Sequence, residues 1–284
     1  MEQMSNTYKP SKGDLQRLAK LRAPYQQTID ELKVKLKGIK YGCLEEDGYS
    51  PIEFVVGRVK SVESMLKKAE SKGIVIGAGN WIDEIEQRLY DIAGLRIVSR
   101  YLEDIREVQE ILCQREDFVV EEITDYIDNP KDSGYRSVHL IVRYPTYHGA
   151  QKKDVQCEIQ LRTMGMNFWA TNEHELRYKY AENLPLEMKE ALRKAADTAH
   201  ELDLQMDQFR RDIRQAQELR LETAISNEDR LEEIFSLYMK KDIERASELY
   251  LQYFGDAHDF THDPKLKMID DLLGTRLKRK SPAT

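Results

Sequence analysis

The chain has 284 residues, of which 40% are hydrophobic and 33% charged, with a formal net charge of -7. That length suits one large domain or two small ones, and no run approaches the roughly 18 continuous apolar residues of a membrane span. The net charge weighs against broad nucleic-acid binding but leaves room for a local basic pocket.

The N-terminus, MEQMSNTYKPSKGDLQ, lacks the apolar segment of a signal peptide. The scattered cysteines Cys43, Cys113 and Cys157 form no CxxC pair and fit a reduced cytoplasmic setting. Tyr25, Ile29, Leu32 and Leu36 recur at helical spacing and predict a helix from residue 12 to about 40. Gly42 and then Asp47-Gly48 are expected to break it. PIEFVVGRVK, residues 51–60, reads as a strand with Ile52, Phe54, Val56, Arg58 and Lys60 on one side. Ser61 is placed to cap a following helix that stops at Gly73. IVIGAGN matches no phosphate-cradling loop. A short helix, WIDEIEQRLYD, then leads into the strand AGLRIVSRY, whose residues AGLRIV look buried.

Residues 103–115 read as a helix, Phe118 to Tyr126 as a strand, and DNPKDSGYRS as a loop. The strand VHLIVRYP follows, then a turn over Thr146 to Ala150, then the strand VQCEIQLRT. In this last strand Val155, Cys157, Ile159 and Leu161 share one face, and Gln156, Glu158, Gln160 and Arg162 the other. The pattern predicts an α+β fold: a mixed sheet with helices on one side and an open face for chemistry. From residue 163 onward the chain reads as helical. Met188, Leu192, Ala195, Ala199, Leu202, Met206, Phe209 and Ile213 form a heptad-like stripe that either packs on the sheet domain or joins copies of the chain. Ser226 or Asn227 is expected to cap a further helix, and GTRLKRKSPAT reads as a frayed basic tail.

Four stretches carry candidate chemistry. Arg58 and Lys60 at a strand end, with Ser64 and Lys68 one helical turn apart, converge as a triphosphate pocket would require, or form an ordinary charged surface. Asp91 and Glu158 on neighbouring strands suit magnesium beside nucleotide phosphates, or are unrelated acids, Glu158 paired with Arg162. Lys131, Tyr135 and Arg136 sit in a polar loop where the tyrosine is either a surface residue or a platform for a base, and His139 by itself fits a satisfied core histidine. Gln160 and Arg162 share the face of Glu158; in the next helix Trp169 reads as core, while Asn167 and His174 invite a substrate role.

GRVKSVESMLKK, YDIAGLRIV, YIDNPKDSGYRSVH and EIQLRTMGMNFWATNEH, in this order, resemble the synthetase domain of the RelA/SpoT alarmone synthetases, and most closely the small single-domain members. The resemblance covers residues 45–180 and implies helical flanks at 1–44 and 181–284 and a nucleotidyltransferase-like mixed sheet. It implies transfer of the β,γ-diphosphate of ATP to the 3′-hydroxyl of GDP or GTP, or of GMP. Arg58, Lys60, Ser64 and Lys68 would then hold ATP, and Asp91 and Glu158 would hold magnesium and perform catalysis. Lys131, Tyr135, Gln160, Arg162, Asn167 and His174 would surround the acceptor. Ser133 stands where long members commonly have asparagine, which bears on acceptor preference. The family includes tetramers, so a homo-oligomer is expected; a membrane partner is not. Toxin-type relatives that modify the 3′ end of transfer RNA, and a non-catalytic nucleotide- or RNA-binding module, are the competing readings. His258-Asp259 and His262-Asp263 read as solvent-facing, so no alarmone hydrolase activity is expected.

Overall fold

A computed structural model describes residues 10–180, 185–240 and 242–254. The chain divides into two compact units, Met1–Gln208 and Phe209–Thr284. The first is built on a five-stranded sheet of β1 (Phe54–Val59), β2 (Ala93–Ser99), β3 (Val119–Asp125), β4 (Val138–His148) and β5 (Gln151–Thr163). The strand order is β1-β2-β5-β4-β3. β2 and β5 run parallel, and the other neighbours are antiparallel. The mixed α+β sheet expected from the sequence is therefore present.

Helices α1 (Lys12–Asp47), α2 (Val62–Ser71), α3 (Trp81–Arg88) and α4 (Leu102–Cys113) share one core with the sheet. Tyr25, Ile29, Leu32 and Leu36 of α1 meet Leu95, Ile97, Leu140 and Ile159 there. Gly57 of β1 faces this helix so closely that a Cβ would lie 2.6 Å from Ile29 and 2.7 Å from Leu95. Gly42 does not end α1, which runs on to Asp47 and closes at Gly48 in the left-handed region, φ 66°. A helical glycine costs only about 1 kcal/mol relative to alanine, which the packing of Leu32, Leu36 and Ile39 of α1 on the core outweighs. The hairpin of β4 and β5 is longer than expected: His148 pairs with Gln151, so the turn tightens to Gly149-Ala150.

α5 (Met164–Tyr180) follows β5 directly, and α6 (Leu186–Met239) is a single helix of 54 residues. Ser226 and Asn227 lie within α6 rather than at the start of a further helix. The stripe read as a possible packing face points outward: Met188, Leu202, Met206, Phe209 and Ile213 are all exposed. Ala196, Asp203 and Asp207 are buried instead. In the second unit Leu231, Ile234, Ala246, Leu249 and Tyr250 pack the end of α6 against α7 (Ile243–Phe254). No helix of the described residues is long and apolar enough to cross a membrane. The basic tail and the two His-Asp pairs lie outside the described residues.

Candidate active site

The sheet face opposite the α1 core carries the polar half of each strand. Register places Arg58, Gly94, Glu158 and Ile141 in one cross-strand row, and Val56, Arg96, Gln160 and His139 in the next. Gly94 has no side chain, so a gap opens between Arg58 on β1 and Glu158 on β5. A cleft of about 340 Å³ occupies it, lined by Arg58, Asp91, Gly94, Arg96, Glu158 and Gln160 together with Val56, Gly57 and Leu95.

Asp91 stands just ahead of β2. Its Oδ2 accepts hydrogen bonds from both Lys60 and Lys68 at 2.6 Å. Burial opposes its ionisation, but the two ammonium groups overcome that and hold the carboxyl below its ordinary value. Oδ1 is buried and has no partner among the described residues. Two carboxylates opening on one cleft, with one buried oxygen uncommitted, form a donor set of the hard-oxygen kind that suits magnesium shared with phosphates.

On the β5 side five residues close a hydrogen-bonded ring. Arg162 Nη2 donates to the Tyr135 hydroxyl at 2.8 Å and to Gln160 Oε1 at 2.7 Å. Gln160 Nε2 donates to Glu158 Oε2 at 2.7 Å, and His139 Nδ1 lies 3.0 Å from Glu158 Oε1. The ring closes where the Tyr135 hydroxyl lies 2.6 Å from His139 Nε2. An ionised carboxylate can only accept, which assigns the imidazole proton to Nδ1 and leaves Nε2 to accept from the phenol. Burial pushes Glu158 toward its neutral form, yet the hydrogen bonds from His139 and Gln160 hold its carboxyl below the usual value.

Arg162 is 4% exposed, and its Nε and Nη1 find no acceptor among the described residues. Arg96 donates to Asn167 Oδ1 at 3.0 Å, while its own Nε is buried and finds no partner among the described residues. Burial, and then the charge of Arg162, lower the Arg96 guanidinium to about 10. Cations crowd this face beyond what Asp91 and Glu158 balance, so its electrostatics favour an anion with several oxygens.

A family model described as a region found in RelA / SpoT proteins matches residues 57–183. The GTP pyrophosphokinase YjbM of Bacillus subtilis (strain 168) is 49% identical over 194 residues, covering 68% of this chain and 89% of that protein. The chain belongs to the RelA/SpoT family. Among solved structures, small alarmone synthetase 1 of B. subtilis bound to its product pppGpp superposes with a TM-score of 0.65 and 47% identity, covering 69% of this chain and 98% of that one. The same synthetase bound to AMPCPP gives a TM-score of 0.62 at 44% identity, with coverage of 70% and 99%.

Of the residues singled out in this RelA/SpoT-family sequence, Arg58, Asp91, Glu158 and Gln160 line the cleft, and Lys60 and Lys68 meet on Asp91. Glu158 is not paired directly with Arg162; Gln160 stands between them. Ser64 is exposed and receives a hydrogen bond from the Ser61 hydroxyl, whose oxygen in turn caps α2 at the Ser64 N–H. Asn167 joins through Arg96, but His174 is exposed on α5 and is not part of the ring. Tyr135 is neither a free surface residue nor part of a loose loop. Its ring packs with Trp169, Ala170 and Ala196, and Lys131 and Arg162 lie over it at 5.1 Å.

Two participants escaped sequence reasoning. Arg96 was taken within a buried run, although its alternation with Leu95 and Ile97 puts it on the Gly94 face. His139 was read as core, although Val138 and Leu140 beside it already claim the core side. Strand parity was the available signal for both.

Proposed function

We propose that this chain is an alarmone synthetase, a GTP pyrophosphokinase that transfers the β,γ-diphosphate of ATP to the 3′-hydroxyl of GDP or GTP and releases AMP. The observation that carries the reading is the cleft around Gly94, where Asp91 and Glu158 open between Arg58 and Arg96. The likeness to GTP pyrophosphokinases and to a synthetase bound to pppGpp supports it. We assign the catalytic domain to residues 45–180, with 1–44 and 181–284 as helical flanks, and expect the enzyme in the cytoplasm.

In this reading Arg58, Lys60 and Lys68 hold the triphosphate by charge-assisted hydrogen bonds, with Ser64 beside them at the start of α2. Asp91 through its uncommitted Oδ1, and Glu158, would hold magnesium. When bound, the ion neutralises phosphate charge as the diphosphate moves. Tyr135 offers its ring to the acceptor guanine, with Lys131 or Arg162 moving off the face to make room. Gln160, Arg162 and Asn167 border the acceptor ribose and phosphates, and His174 serves at most from the periphery. The 3′-oxygen attacks the β-phosphorus, forming a new P–O bond. The bond from the β-phosphorus to the α,β-bridging oxygen breaks, and AMP departs with the electron pair. The hydroxyl proton passes to the Glu158 carboxylate, which His139 and Gln160 keep ionised and oriented.

The test mixes purified protein, magnesium and labelled ATP with GMP, GDP, GTP or deacylated transfer RNA, and resolves the products by nucleotide chromatography and on an RNA gel. A guanosine 3′-diphosphate formed in step with AMP is expected. Label on transfer RNA alone would give the reaction a different acceptor, and nucleotide binding without any product would make the chain a binding module.

A further inference from the structure

The turn that carries Tyr135 is braced from behind by α6. Gly134 sits at φ +85°, and a Cβ there would lie 2.7 Å from the Ala196 Cβ and 3.4 Å from the Arg193 carbonyl oxygen. Gly134 N–H donates to the Lys131 carbonyl at 2.7 Å, and Arg136 Nη1 donates back to the Gly134 carbonyl at 3.2 Å, so the turn is tied within itself. Arg136 Nη2 then reaches Asp197 Oδ1 of α6 at 3.1 Å; the Arg136 side chain is 13% exposed, and Asp197 is 48%. Trp169, which packs with Tyr135, donates its Nε1–H to the Leu192 carbonyl of the same helix at 2.8 Å.

Further along, α6 is held by its acids. Asp203 accepts from the Thr163 hydroxyl at 2.6 Å, and Asp207 accepts from the Leu102 N–H at 3.0 Å. Thr163 caps α5 through the Met166 N–H, and Leu102 opens α4. Both acids thus sit at helix N-termini, where negative charge is favoured. The stretch of α6 from Leu192 to Asp207 is thus anchored to the frame of the sheet at its C-terminal end and presses on the Tyr135 turn at its N-terminal end.

We propose that Asp197 is a positioning residue for the acceptor. Through Arg136, and with Ala196 under Gly134, it holds the turn in the conformation in which Tyr135 receives the guanosine nucleotide. Neither residue touches the cleft that would take ATP. The effect falls mainly on acceptor affinity and spares donor affinity; the chemical step is touched only as far as the Tyr135–His139 hydrogen bond loosens with the turn. This rests on the synthetase reading above.

The test is steady-state kinetics of Asp197→Asn, Asp197→Glu and the exchanged pair Asp197→Arg with Arg136→Asp, joined to amide hydrogen exchange over residues 127–137. Asp197→Asn is expected to raise the acceptor KM three- to tenfold, with ATP KM within twofold and kcat falling by less than in Tyr135→Phe, and to speed exchange in the turn but not in β4 or β5. Asp197→Glu is expected to recover most of both effects, and the exchanged pair only the part carried by the ion pair to α6, since a carboxylate at position 136 cannot donate to the Gly134 carbonyl. An acceptor KM within twofold of wild type, or equal losses for both substrates, would overturn the proposal. If the wild type forms no guanosine 3′-diphosphate, the synthetase reading fails by itself. The exchange rates then decide the brace alone, and an unchanged turn in Asp197→Asn would refute it.

Discussion

The hydroxyl of Tyr135 lies 2.6 Å from Nε2 of His139, and through that ring it is linked to Glu158. The residue expected to supply a stacking face thus also supplies a hydrogen bond to the group that orients a carboxylate. Burial raises the phenol above its ordinary value, so it stays protonated and keeps donating at neutral pH.

Two variants separate these roles. Tyr135→Phe keeps the ring and loses the donor, so acceptor KM is expected within about threefold of wild type while kcat falls roughly tenfold. Tyr135→Ala loses both, and the missing stack adds about 1–3 kcal/mol, or on the order of ten- to a hundredfold, in acceptor affinity. Acceptor binding by calorimetry beside product formation checks the pair. Full turnover in Tyr135→Phe would mean that the hydrogen-bonded ring does not serve the chemistry.

Asp91→Asn is expected to abolish transfer and leave the fold intact. The amide cannot balance both Lys60 and Lys68, which share one oxygen of the native carboxylate, and it is a weak ligand for magnesium. Circular dichroism establishes folding, and a magnesium titration of activity checks the role. Turnover restored by high magnesium would show an affinity defect rather than an essential group.

Much of this site was legible because strands declare their faces. The alternation in β5 separated Glu158, Gln160 and Arg162 from Cys157, Ile159 and Leu161 before any fold was known. Which residues meet across strands was not legible, since the rows joining Arg58 to Glu158 and Arg96 to His139 depend on long-range register. Which face of α6 meets the sheet domain was not legible for a related reason. A stripe of Leu202 and Met206 marks apolar surface, but Asp203 and Asp207 turn inward because helix N-termini await them, and those partners lie far away in sequence.

Asp203 makes stability depend on pH. Burial, reinforced by the charge of Asp207, raises its carboxyl from 3.8 to about 6, against the opposing hydrogen bond from Thr163. The folded state therefore keeps this proton longer than the unfolded chain. The contribution is fully present below pH 3.8 and is lost as pH rises through about 6. Asp203→Asn cannot ionise. It is expected to gain roughly 1–2 kcal/mol more over wild type at pH 8 than at pH 5. Urea unfolding at both values reads this directly, and an equal gain at both would locate the benefit outside ionisation.

Leu202 and Met206, exposed at 54% and 42%, are apolar surface on the first unit that nothing among the described residues covers. The expected homo-oligomer offers a cover. Leu202→Glu with Met206→Glu is expected to shift the mass in light scattering toward 33.3 kDa with Tm unchanged. A wild type already at that mass at working concentration would remove the oligomer.

Gly94 offers the sharpest separation of cleft from fold. A Cβ at this position would meet only the Arg58 carbonyl oxygen, at 3.9 Å, an ordinary contact. The backbone there is regular strand paired on both sides, by Arg58 and by Glu158, and β-branched residues are favoured in strands. Gly94→Val should therefore fold with an unchanged or slightly raised Tm, while its methyl groups project into the space between Arg58 and Glu158. ATP use is expected to fall at least a hundredfold, and acceptor binding at the Tyr135 side should change little. Gly57→Val is the matched control on the same sheet. There a Cβ would strike Ile29 and Leu95 on the core side, so stability is expected to fail. Calorimetric ATP binding and thermal melts on both variants decide the matter: normal ATP affinity in a well-folded Gly94→Val would move the donor site away from this cleft.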